Sequence, residues 1–278
     1  MSEGLEKRAD ISLPLWILRL GRPWTLMCAG DFGIALDLFS SGVRQFLDNG
    51  DVGRAATLQF YQGFCHVHMQ DHQGALDLCN QALAFCDVNG SMRLSPNEQQ
   101  IERVVRGLAE LGAGRIDKAM DLFAAAREGM RRWQTLTTWH WRMALEWGMA
   151  DAHLALGQIE QAQLHARQFH DLAYAIRERT WRALASETCA RIALRTADPA
   201  AAKAHLLQGW KETEAGELKL AVWRLHAAEA AVAEYCGDGR AAELHDAAWK
   251  AALEDLADSL PEGHIGRRTI MGAIPGGI

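Results

Sequence analysis

The side chains best suited to metal chemistry crowd together at Cys65, His66, His68 and His72. A thiolate with three imidazoles would make a ligand set for a borderline divalent ion. Their spacing argues against it. Residues one or two apart on a helix point in different directions, so Cys65, His66 and His68 cannot converge on one ion. His68 and His72 stand four apart, but a helix end is expected near Asp71, between them. The histidines are read as surface and groove residues beside a turn, and no metal is assigned. His165 and His170 are five apart, a poor ligand spacing. The carboxylates Asp117 and Asp121 fall on one exposed helical face, where solvation accounts for them. Arg127, Arg131 and Arg132 close a helix, where cations complement the macrodipole. There is no GxxxxGK[ST], GxGxxG after a strand, HExxH, GxSxG or CxxC. No catalytic residue and no cofactor is therefore assigned.

The chain has 278 residues, enough for one or two domains. Apolar residues make up 49% and charged residues 23%, which excludes wholesale disorder. The formal net charge of −6 is a poor match for nucleic acid, and no aromatic–basic interleaving recurs. Six cysteines without framework spacing read as small core residues of a reduced, intracellular protein. The apolar stretch Leu13 to Leu20 contains Pro14 and Arg19, too short and too charged for a membrane span. The expectation is a soluble cytoplasmic protein.

The elements that would position any site come from internal self-similarity. A turn followed by a helical pattern with a recurring Ala appears as AGDFGIALDLF, MQDHQGALDLC, GAGRIDKAMDLF, LGQIEQAQLHA, TADPAAAKAHL and CGDGRAAELHD. The anchors are Ala35, Ala75, Ala119, Ala162, Ala202 and Ala242, separated by 40, 44, 43, 40 and 40 residues. Twelve residues before five of them stand Gly63, Gly107, Ala150, Ala190 and Ala230. Small residues at both places let two helices cross closely. Gly, Asp or Pro marks each intervening turn, as a helix end followed by an N-cap requires.

These spacings resemble the tetratricopeptide repeat (TPR) over roughly residues 31–260. That family places a small residue at position eight and Ala at position twenty. Here the period exceeds the usual 34, and the aromatic of position four is replaced by Gln59, Arg103, Glu146, Ser186 and His226. Long repeats of this kind resemble the TPR-like regions of bacterial signalling ATPases and LuxR-type regulators. The resemblance implies an all-α, right-handed α-solenoid. Residues 1–30 would be a capping segment, 31–260 the repeat domain and 261–278 a flexible tail. First helices are expected near 51–69, 97–112, 136–156, 180–195 and 218–236. Second helices are expected near 31–48, 71–88, 115–131, 158–178, 199–215 and 239–260. Residues 12–29 would hold a helix or two interrupted by Gly21 and Pro23, leaving the first repeat incomplete.

In TPR arrays the first helices line a concave groove. Carried over, its positions give an apolar half with Phe60 and Phe64, and a mixed half with His140, Trp147, Asp151, Glu187, Arg191 and Arg224. Asp151, Glu187 and Arg191 would form an internal ion network or present charge to a ligand. His140, Asp151 and Glu187 would be the only acid–base set. Ten Trp residues are expected mainly to fill space between helices. The expected function is a non-catalytic scaffold gripping a protein or peptide in this groove, within bacterial signalling or regulation. The alternatives are a small-molecule sensor or, behind it, an enzyme accessory subunit. An exposed apolar stripe would also suit a homodimer.

Overall fold

A computed structural model describes residues 19–87, 94–133, 138–214, 216 and 218–272. Among these residues there is no strand, and thirteen helices account for the fold. Helix α1 covers residues 19–29. It is followed by α2 (Phe32–Asp48), α3 (Val52–His68), α4 (His72–Asp87), α5 (Pro96–Gly112), α6 (Ile116–Arg132) and α7 (Thr138–Ala155). The remainder are α8 (Ile159–Tyr174), α9 (Arg179–Arg195), α10 (Pro199–Thr213), α11 (Lys219–Tyr235), α12 (Gly239–Asp258) and α13 (Ile265–Gly272).

One turn is built six times. Five residues before each anchor Ala the backbone is left-handed: Gly30, Gln70, Gly114, Gly157, Ala197 and Gly237. The amide of the next residue then reaches back over the helix end. Asp31 donates to the Leu26 carbonyl, Asp71 to His66, Arg115 to Glu110, Gln158 to His153, Asp198 to Ala193 and Asp238 to Ala233, all at 2.9–3.0 Å. This closes the orphan carbonyls of each first helix. Asp71, Asp198 and Asp238 then cap the following helix through their carboxylates. Ser95 and Glu98 form a reciprocal capping box ahead of α5, with Pro96 in the first turn.

The helices stack as a repeat. From α2 onward each consecutive pair packs together, and α3, α5, α7, α9 and α11 pack on one another as an inner layer. Five anchor alanines are completely buried and Ala242 nearly so. At Gly107 a side-chain carbon would strike the Phe123 ring, which accounts for the small residue there. The main apolar core runs from Met27 to Ile270, and a small separate cluster joins Ala150, Leu154, Ala162, Ala166 and Ile192 between α7, α8 and α9.

The array curls until its ends meet. The Phe32 amide donates to Ser259 Oγ (3.2 Å), and Thr180 Oγ1 donates to the Cys28 carbonyl (3.1 Å). Gly30, with φ +93°, lies so close to Lys219 and Leu256 that a Cβ would come within 2.7 Å of each. Two expectations change here. Helix α1 runs without a break through Gly21 and Pro23 and ends in the same turn as every other first helix. It supplies the first repeat with its inner helix. Residues 265–272, expected within a loose tail, form α13, which packs on α12 with Ile270 buried and Gly266 beside Met69. Residues 1–18 and 273–278 lie outside the described residues. No described helix is long and apolar enough to cross a membrane.

Candidate functional site

Because the array curls tightly, the inner faces of opposite repeats meet across the lumen. Trp24 of α1 lies on the ring of His140 from α7, with centroids 3.9 Å apart. It also stacks parallel to Phe64 of α3 and Trp181 of α9, each at 6.2 Å. Tyr61 and Trp141 meet edge-on at 5.0 Å. The ring cluster continues from Trp181 to Trp147 at 6.5 Å and from Trp147 to His68 at 5.4 Å. Edge-to-face and offset pairs of this kind add to the burial of apolar area.

The polar end adjoins this cluster. Arg191 Nη2 donates to Asp151 Oδ1 at 2.7 Å, and its Nε donates to Glu187 Oε1 at 2.5 Å. Burial alone would lower the Arg191 pKa, but the charges of Asp151 and Glu187 outweigh it and raise the value. Arg224 instead sits over aromatic faces, 4.4 Å from the Trp223 ring centroid and 5.3 Å from that of Trp147. Burial pulls its pKa down, since no carboxylate lies against it. Burial likewise lowers the His68 pKa, helped by the Arg224 charge. For His140, burial pushes it down to about 3. Both imidazoles are therefore neutral at neutral pH.

Several buried polar atoms here have no hydrogen-bond partner among the described residues. They are both ring nitrogens of His68, Nε2 of His140, Nε1 of Trp181 and of Trp223, and Nε of Arg224. Indole and guanidinium nitrogens can only donate. Such orphaned groups are rare in native interiors and call for a water, an ion or a ligand.

Phe60 and Phe64 are fully buried, so the apolar half is interior packing within one chain and not an open groove. Trp147, His140 and Glu187 are also buried. Asp151, Arg191 and Arg224 are half-buried at the polar end. The ion network appears in the form expected of Asp151, Glu187 and Arg191. The acid–base set does not assemble. His140 stacks on Trp24 and bonds neither acid, while both acids are held by Arg191. Of the early histidine cluster, His66 turns to Asp71 Oδ2 (2.8 Å) and His68 turns into the ring cluster. His165 pairs with Glu146 Oε2 at 2.6 Å, deep between α7 and α8.

Trp24, Trp181 and Trp223 are not among the residues expected at the site from sequence. A signal for the first was present. Phe64, Asp151 and Arg191 each stand eleven residues before their anchor, and the same offset from Ala35 lands on Trp24. Trp141 and Trp181 both stand twenty-one before theirs.

The chain matches no family model and no curated protein sequence. Among solved structures it is similar to BtubC (BKLC) from P. vanneervenii, with a TM-score of 0.54 and 14% identity. That likeness covers 82% of this chain and 93% of the other. At such identity it speaks for the helical fold alone.

Proposed function

We propose that this chain is a non-catalytic, TPR-like binding module, a right-handed solenoid acting in a cytoplasmic regulatory system. Its ligand is an acceptor-rich small molecule with an apolar body, taken at the half-buried polar end beside Arg224 rather than within the packed ring cluster. One observation carries this reading. The buried orphan groups around Trp147 are mostly donors, and they adjoin an aromatic wall. A carboxylate-bearing aromatic or aliphatic compound complements both, as in most small-molecule sites. The neutral His68, stacked on Trp147, offers one donor and one acceptor nitrogen toward that end.

A second reading, a protein partner, rests on a different feature. Trp133 and Trp139 are 57% and 47% exposed on either side of the α6–α7 connection. Exposed tryptophans are frequent anchors of interfaces.

Native mass spectrometry of chain purified gently from its own cells separates the two. A co-purifying small mass that is lost in Arg224→Met, with helicity retained, supports the small-molecule reading. The compound should then raise the thermal midpoint of the wild type. A co-purifying polypeptide lost in Trp133→Ala supports the second reading. A bare monomer or homodimer, with a flat thermal-shift screen of carboxylates, refutes the first.

A further inference from the structure

Between α11 and α12, away from the lumen, two imidazoles and a carboxylate converge. His226 Nδ1 and His245 Nδ1 are 3.3 Å apart. Glu229 Oε2 lies 2.9 Å from His245 Nδ1 and 3.7 Å from His226 Nδ1. All three side chains are about three-quarters buried. Among the described residues this is the one place where three such groups bring ligand atoms this close.

The position has a history within the repeat. His226 stands sixteen residues before its anchor and His245 three after. In the repeat anchored at Ala162 the same two places hold Glu146 and His165, which satisfy each other as a carboxylate–imidazole pair. The last repeat has an imidazole on both sides, and its carboxylate is one helical turn further on, at Glu229. Two Nδ1 atoms and a carboxylate oxygen then face one another. Protons satisfy this triangle poorly, because the donor of one pair cannot serve the other two equally well. A single cation satisfies all three lone pairs at once.

We propose that His226, Glu229 and His245 bind one divalent first-row ion, of which Zn²⁺ is the best match. Ligands about 2.1 Å from one ion lie about 3.0–3.4 Å apart in octahedral or tetrahedral arrangement, and the three separations bracket that range. Two histidines with one carboxylate is a common donor set for such ions. Three protein ligands leave a coordination position free. Glu229 and His245 line a cleft of about 290 Å³ with Lys203, Trp210, Cys236 and Asp238, so that position has room for water or a further ligand. The ion would also clip α11 to α12 at the end of the array.

The test uses the full chain, stripped of metal with chelator and titrated with Zn²⁺ by calorimetry and with Co²⁺ by absorption. The expected result is one equivalent bound, with a Co²⁺ ligand-field band and a raised thermal midpoint. His245→Ala and His226→Ala should each weaken binding by at least about 100-fold, since even outer-shell losses reach that size. Glu229→Gln should weaken it and alter the Co²⁺ spectrum, and His170→Ala on α8 should leave both unchanged. Absence of stoichiometric binding overturns the proposal. So does binding that survives loss of both His226 and His245, which would place the ion on other histidines.

Discussion

His140 offers a sharp test of the curled architecture. Its ring is buried against Trp24, Tyr61 and Trp141, and burial lowers its pKa to about 3 from an ordinary 6.5. Between those values the unfolded chain binds a proton that the folded chain refuses. Stability from this residue is therefore fully present above pH 6.5 and falls as the pH drops toward 3. At pH 4.5, two units below the unfolded value, the loss is about 3 kcal/mol, at about 1.36 kcal/mol per unit. The perturbation is His140→Phe. It keeps an aromatic ring against Trp24 and removes a Nε2 that has no partner among the described residues. Urea unfolding of both proteins at pH 7 and pH 4.5 is the assay. At pH 7 the larger ring should cost on the order of 1–3 kcal/mol, as overpacking beside Trp24 does, whatever the effect of pH. On acidification the wild type should lose about 3 kcal/mol more than the variant. Other titrating groups, His68 included, cancel in this difference. An equal acid loss in both proteins would refute the reasoning, because His140 would then be solvated and the lumen open.

Two other substitutions probe the closure and the polar end. Gly33→Ala places a carbon on the backbone oxygen of Ser259 and should cost on the order of 1–3 kcal/mol. Gly21→Ala in α1 meets nothing and should be neutral or slightly stabilising; equal thermal midpoints for the two would mean the ends do not touch. Arg191→Ala strands Asp151 and Glu187 without their cation and should cost about 3–5 kcal/mol in urea unfolding. An Arg191→Ala protein as stable as wild type would show that the network is solvated.

The repeat was legible because its causes are local. A left-handed residue five positions before each Ala, whose next amide reaches back to the preceding helix, sets the turn, and 3.6-residue periodicity sets the helices that flank it. Observed helices therefore fall within a few residues of those expected, and the Asp151–Glu187–Arg191 network followed from placing three positions on adjacent inner faces. What no local pattern carries is curvature. It is the sum of small rotations between neighbours, and only the accumulated angle decides whether a concave face stays open. Here it closes, through contacts as distant in sequence as Phe32 with Ser259 and Cys28 with Thr180. That closure turns Phe60 and Phe64 from a presumed groove into core. It separates His140 from the acids and makes Trp24 part of the lumen. The convergence of His226, Glu229 and His245 is likewise tertiary, since it depends on how two helices are rotated against each other. The repeat unit and its turns follow from local residues. Which of its faces meet depends on rotations summed over the whole array.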